Sequence, residues 1–267
     1  MGLDDHGRPA LVTPYYRVIG NEAEVFRHAY ANRLPLMLKG PTGSGKSRFV
    51  EVMAAQTGRP LIQVSCNDET SATDLLGRHL IKGGDTIWQD GPATRAVRQG
   101  AILYLDEIAE AREDVIVVLH SLTDHRREIH LDRLNESVKA PNEFMIIVSF
   151  NPGYQKGLKE MKPSTRQRFI GLSFDYARAD IEVEILERET GIDRPHAKKL
   201  VQLACKIRNL HELGLAETAS TRLLVDAAHL IRSGLPARLA CEVAIAQPLT
   251  DDRETIAALN DLAAIIF

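Results

Sequence analysis

Three things are scarce in this chain of 267 residues: paired cysteines, long apolar runs and an excess of charge of one sign. The three cysteines, Cys66, Cys205 and Cys241, lie far apart and form no C-x-x-C. That spacing argues against a disulfide framework or a zinc ribbon and for small core residues in a reducing compartment. No apolar run approaches the roughly 20 residues of a membrane span. The polar start Met1-Gly-Leu-Asp-Asp-His6 also lacks the basic and apolar parts of a signal peptide, so a cytoplasmic protein is expected. With 33 basic against 36 acidic residues, the net charge of −3 gives no bulk attraction for nucleic acid. His120, His125 and His130 are accompanied by no compact ligand cluster of Cys or carboxylate spacing, so surface roles are expected for them.

What remains is an ordinary globular composition, 44% hydrophobic and 26% charged, long enough for one large or two modest domains. Within it, Gly40-Pro41-Thr42-Gly43-Ser44-Gly45-Lys46-Ser47 satisfies the phosphate-binding pattern G-x-x-x-x-G-K-[ST] at every specified position. An apolar strand pattern over 34–39 precedes it, and a helical pattern over 48–57, stopped by Gly58, follows it. Glycines in such a strand-loop-helix let backbone N–H groups converge on phosphate oxygens, and the helix N-terminus adds partial positive charge. Lys46 is expected to reach the β- and γ-phosphates of ATP, and Ser47 to ligate Mg2+.

The rest of the chain supplies partners for a phosphate held there. Strand patterns over 60–65, 101–105, 144–150 and 170–174 alternate with helical ones over 71–77, 91–98 and 111–124, which predicts α/β architecture with a doubly wound parallel sheet. Residues 21–30 suit a helix that either covers the adenine or simply packs. The stretch 79–89 breaks the rhythm as a hairpin turning at Gly83-Gly84, and it carries the only tryptophan, Trp88. Residues 126–135 alternate charged and apolar, which argues for a half-buried strand or hairpin.

The 101–105 strand delivers Asp106 and Glu107 at its C-terminal end, where an open α/β sheet places its ligand chemistry. Asp106 is expected to hold Mg2+ through its water shell, and Glu107 to orient and deprotonate the attacking water. Asn151 at the tip of the 144–150 strand can bond the γ-phosphate or that water. Arg166 and Arg168 stand before the next strand, and a guanidinium supplied by a neighbouring subunit speeds γ-phosphate transfer by about 10³–10⁵. From 176 onward helical patterns replace strands, over 179–191, 195–213, 220–233, 236–247 and 251–266. Arg222 sits at a helix start, where the dipole alone disfavours a cation; a phosphate contact would account for it.

Gly40–Ser47, Leu105-Asp106-Glu107, Ser149-Phe150-Asn151, Arg166–Phe169 and Ser220–Arg222, in this order, resemble AAA+ ATPases over about residues 17 to 267. The insertion at 78–90 and the hairpin at 125–140 are similar to those of the MoxR group. Asp74-Leu-Leu-Gly77, Glu128-Ile-His-Leu-Asp132 and Asn151-Pro-Gly-Tyr-Gln155 resemble its CbbQ/NorQ branch. Residues 1–14, polar and with Pro9 and Pro14, read as a flexible arm; the resemblance implies a P-loop AAA+ core over 15–175 and a C-terminal α-helical lid over 176–267. It also implies a homo-oligomeric ring, commonly a hexamer, with ATP between subunits. By position, Arg168 matches the arginine finger, with Arg166 an additional arginine in that segment; Asn151 matches one sensor of the γ-phosphate and Arg222 a second, on the lid. A partner with a von Willebrand factor A domain is implied, and a client that is rubisco, the preferred reading, or nitric oxide reductase. Carboxysome association goes with the rubisco reading. A DNA-associated AAA+ protein is a rival, but no helix-turn-helix with a basic recognition helix is recognisable and no nucleic acid partner is expected.

Overall fold

The computed structural model describes residues 14–152, 161–210, 215 and 217–267. The expected arm over 1–14, apart from Pro14, lies outside them, as do 153–155 and the expected helix end at 211–213.

Continuous apolar runs become strands when both faces of a sheet are covered, and the central strands here show it. β1 (Leu36–Lys39), β2 (Leu61–Ser65), β5 (Ile102–Asp106), β8 (Met145–Phe150) and β9 (Ile170–Ser173) form one parallel sheet in the order β2-β5-β8-β1-β9. Because successive side chains point to opposite faces, Leu36, Leu38, Ile102, Tyr104, Met145 and Ile147 enter one core, with Phe26, Phe49 and Met53. Met37, Leu103, Leu105, Ile146 and Val148 enter the other, with Leu75, Val97, Val115 and Leu119. The first core lies under α1 (Glu22–Ala31) and α2 (Lys46–Thr57). The second lies under α3 (Ala72–Leu76), α4 (Pro92–Gln99) and α5 (Glu113–Leu122). Each fully buried Leu, Ile or Phe contributes about 1.5–3 kcal/mol.

Both insertions are two-stranded. β3 (Gly77–Lys82) pairs antiparallel with β4 (Asp85–Asp90), and both turn residues, Gly83 and Gly84, have positive φ, 64° and 91°. A two-residue turn of that hand follows the twist of the strands, and only glycine adopts it without strain. β6 (Glu128–Leu131) pairs with β7 (Glu136–Lys139), and the alternation seats Ile129 and Leu131 in the core.

Three departures from the sequence expectation are local. A 3-10 turn (Ile108–Glu110) precedes α5, which is shorter than 111–124. A one-turn helix, α6 (Pro163–Arg166), for which the sequence pattern gives no expectation, leads into β9; Pro163 occupies its first position, where a missing N–H is harmless. The third lies in the helical region, made of α7 (Ala179–Thr190), α8 (Arg194–Asn209), α9 (Thr221–Arg232), α10 (Ala237–Cys241), α11 (Gln247–Leu249) and α12 (Arg253–Ile266). A π turn (Glu242–Ala246) joins α10 to α11 where one regular helix was expected. Pro248 follows one residue beyond it, after Gln247; its ring opposes the carbonyl of residue i−4, and the wider π spacing relieves that clash. This region has its own core, built on Leu186, Leu200, Ala204, Leu224 and Ile245. Among the described residues no helix is long and apolar enough to cross a membrane.

Candidate functional site

The C-terminal ends of β1, β5 and β8 open into a cleft of about 650 Å³, roofed by the helical region. It sits where the strand order reverses direction around β1, the place at which open α/β sheets bind ligands. The floor is the loop 40–45 and the N-terminus of α2. Gly43 (φ 69°) lies so close to the first turn of α9 that an added Cβ would stand 2.6 Å from Ser220 Cβ. Lys46 Nζ is held by the carbonyls of Gly40 and Pro41, both at 2.8 Å. Burial pulls its pKa down, and the charges of Asp106 and Glu107 oppose that.

Ser47 and Asp106 meet across the cleft: Ser47 Oγ donates to Asp106 Oδ2 at 3.2 Å. The other oxygen, Oδ1, accepts from Tyr104 Oη at 2.8 Å and, through a very short contact, from Ser149 Oγ. Ser149 Oγ in turn accepts the Glu107 N–H at 3.2 Å. Glu107 takes a left-handed backbone (φ 55°), a sparsely populated conformation for a residue with a Cβ, at the point where the chain leaves β5. Its side chain lines the cleft, and burial, then Asp106 and Glu110, raises its carboxyl pKa. Asn151 Nδ2 is 3.4 Å from Thr42 Oγ1, while its buried Oδ1 has no hydrogen-bond partner among the described residues. Arg222 enters from the first turn of α9, whose N-cap Ser220 accepts from Leu223 N.

Thus Thr42, Gly43, Ser44, Gly45, Lys46, Ser47, Asp106, Glu107, Asn151 and Arg222 line one cleft, while Gly40 and Pro41 do not line it and meet it through their carbonyls on Lys46. Arg166 and Arg168 do not line this cleft. The Arg166 guanidinium lies 5.7 Å from the centre of the Phe150 ring, and Arg168 bonds the carbonyl of His120 at 3.4 Å with Asp124 at 3.9 Å. The helix at 22–31 packs through Phe26 rather than over the cleft; Tyr15, Tyr16, Arg17 and Ile19, ahead of it, form that wall. His120 pairs with Thr165, and His130 with Ser137 and Asp132.

Sequence reasoning gave no role to four contributors. Tyr104 lies two residues before Asp106, hence on the same face of β5, and Ser149 is the one hydroxyl in an otherwise apolar strand; both signals were legible. Tyr176 and Glu217, which bond Thr42 O at 3.1 Å and Thr42 Oγ1 at 3.0 Å, come from distant parts of the chain and gave no local signal.

The donor set fits a magnesium nucleotide: two hard oxygens on Ser47 and Asp106, a buried acceptor left over on Asn151, and N–H groups at a helix N-terminus. The comparisons with known proteins point to a nucleotide-binding AAA domain. Residues 35–169 match the AAA domain (dynein-related subfamily), and residues 182–266 match the CbbQ/NirQ/NorQ C-terminal family. The chain is 55% identical over 261 residues to protein NorQ of Paracoccus denitrificans, covering 98% of this chain and 97% of that one. It is 54% identical to the denitrification regulatory protein NirQ of Pseudomonas aeruginosa (94% and 96% covered). To protein CbbQ of Hydrogenophilus thermoluteolus it is 52% identical, with 95% of each covered. Among solved structures, a RuvB mutant of Thermotoga maritima has the same fold at TM-score 0.56 and 16% identity, over 92% of this chain and 71% of that one. The chain therefore belongs to the CbbQ/NirQ/NorQ family of AAA-domain ATPases.

Proposed function

We propose that this cleft hydrolyses magnesium-ATP to ADP and phosphate, and that the cycle moves the helical region as a lid to remodel a client protein. The observation that carries the reading is the convergence of Lys46, Ser47, Asp106, Glu107 and Arg222 on one cleft between the sheet and the helical region. Lys46 exchanges the carbonyls of Gly40 and Pro41 for β- and γ-phosphate oxygens, and the N–H groups of 43–47 cradle the same phosphates. Ser47 and Asp106 hold Mg2+, which neutralises developing charge on the phosphate oxygens. Glu107 takes a proton from the water that attacks the γ-phosphorus, and its raised pKa suits a base. Asn151 reads the γ-phosphate or positions that water, with its free Oδ1 as the available acceptor. Arg222 brings a compensating charge with the lid.

Arg168, with Arg166 nearby in the chain, does not line its own cleft, and this supports a role as an arginine finger reaching the cleft of a neighbouring subunit. That role requires a homo-oligomer, for which a hexameric ring is the proposed form. The core at 15–175 and the lid at 176–267 are the proposed moving parts, and a cytoplasmic location, with or without a carboxysome, is proposed with them. The partner is a protein with a von Willebrand factor A domain. Similarity does not favour rubisco as client over nitric oxide reductase, because relatives named NorQ, NirQ and CbbQ match at 55, 54 and 52% identity. Replacing Glu107 by Gln tests the chemistry: turnover is expected to fall about 10²–10⁴-fold while binding of a fluorescent ATP analogue persists. Full turnover in that variant removes Glu107 as the base. The client is decided by adding the protein and each cognate partner to sugar-phosphate-inhibited rubisco and, separately, to immature nitric oxide reductase.

A further inference from the structure

The Asp106 carboxylate is held from behind. Among the described residues its Oδ1 takes two donors, Tyr104 Oη at 2.8 Å and Ser149 Oγ, while Oδ2 takes only Ser47 Oγ. Both donors come from the floor of the sheet: Tyr104 from β5 itself and Ser149 from β8, whose Val148 pairs with Leu105. Both residues are completely buried, and the Tyr104 ring is packed into the core shared with Phe49 and Leu38. A buried hydroxyl costs free energy unless it is bonded, and phenylalanine would fill the same space without that cost. Packing therefore does not account for the hydroxyl. Its placement on the carboxylate does.

We infer that Tyr104 and Ser149 are positioning residues for the metal site: together they lock the rotation of the Asp106 carboxylate so that Oδ2 stays turned to Ser47 and the incoming cation. With Oδ1 saturated, the carboxylate cannot swing to present its other oxygen. Oδ2 keeps a lone pair free once Ser47 Oγ turns its own lone pair to the metal. Tyr104 Oη, 3.3 Å from Ser47 Oγ, also offers an acceptor for the serine proton after that turn. Ser149 has a second task, because it accepts the Glu107 N–H and so fixes the backbone that aims the base. Outer-shell partners of this kind set ligand orientation, and their loss typically costs about 10–100-fold in metal affinity or activity.

The inference rests on the proposed magnesium site of Ser47 and Asp106, and the test separates the two. A fluorescent ADP analogue is titrated onto wild type, Tyr104→Phe and Ser149→Ala, first in EDTA and then against increasing Mg2+, with melting temperature recorded for each. Wild type is expected to gain affinity with Mg2+. In Tyr104→Phe, affinity in EDTA should stay within about twofold while the half-saturating Mg2+ rises about 10-fold. Ser149→Ala should show the same rise and, in addition, a lower kcat at saturating Mg2+. If neither variant moves the magnesium midpoint while wild type responds to Mg2+, the positioning role is refuted and the site stands. A loss of affinity in EDTA as large as that in Mg2+ would also overturn it, since the hydroxyls would then support the fold rather than the metal. If wild type shows no magnesium response, the site reading falls and the inference with it.

Discussion

Removing one partner of a buried ion pair leaves a charge stranded, and the helical region has such a pair at its centre. Glu182, on α7, is completely buried; it accepts from Arg208 Nη1 and Nη2, both at 2.8 Å, and from Thr221 Oγ1 at 2.6 Å. Arg208, on α8, also donates Nε to Ala219 O at 2.8 Å and lies 4.1 Å above the Tyr176 ring. Three helices are thereby clasped. Arg208→Met keeps most of the stem but leaves the Glu182 carboxylate with Thr221 alone. Stranding a buried charge costs about 3–5 kcal/mol, which for a chain of this size lowers the melting temperature by about 10 °C. The double variant Glu182→Gln with Arg208→Met has no charge left to strand and should recover at least half of that loss. Urea unfolding of wild type, both single variants and the double closes the cycle. A cost below about 1 kcal/mol for Arg208→Met, or a double variant equal to the sum of the singles, would refute the reasoning. The same cluster links the helical region to the loop, since Thr221 adjoins Arg222 and Tyr176 bonds Thr42. Arg208→Met is therefore also expected to raise KM for ATP.

Thiol chemistry gives a second check: burial pushes Cys66 and Cys241 up to about 12, whereas Cys205 is partly exposed. Iodoacetamide at pH 8 should label the native protein once, at Cys205, and three times in denaturant; native labelling at Cys66 or Cys241 counts against the packing described. Acid titration gives a third, because hydrogen bonds from Arg126 hold Asp124 down at about 2. A depressed carboxyl stabilises the fold above its unfolded value near 3.9 and loses that contribution as pH falls through the folded one. The gap in urea midpoint between wild type and Asp124→Asn should therefore be full at pH 6 and close between about pH 4 and 2; a gap independent of pH contradicts the assignment.

Contacts between the two parts of the molecule ring the cleft rather than fill it. Arg48 bridges to Glu189 at 3.2 Å, Tyr15 donates to Glu184 at 3.0 Å, and Thr42 is bonded from Tyr176 and to Glu217. The Arg48–Glu189 pair is partly exposed and the other three are single hydrogen bonds, contacts worth about 0–1.5 kcal/mol each, so a bound nucleotide can reorganise them one at a time.

By itself the sequence determined the sheet, the phosphate loop and most of the residues around it. Continuous apolar runs mark strands covered on both faces, glycine and proline mark the ends, and a loop such as Gly40–Ser47 has one local geometry wherever it folds. Asp106, Glu107 and Asn151 were legible for the same reason: a polar residue at the end of a buried strand has one place to go. Only the tertiary structure decided what stands behind them. That Tyr104 and Ser149 grip one oxygen of Asp106 depends on the register of β5 against β8, which nothing within either strand specifies. That Tyr176 and Glu217 reach Thr42, and that Arg208 stacks on Tyr176 while pairing with Glu182, depends on how the helical region docks. The π turn before Pro248 and the placement of Arg166 on Phe150 and of Arg168 at His120 belong to the same class. Local spacing decides secondary structure and faces, whereas contacts between residues far apart in the chain arise only once packing has chosen which faces meet.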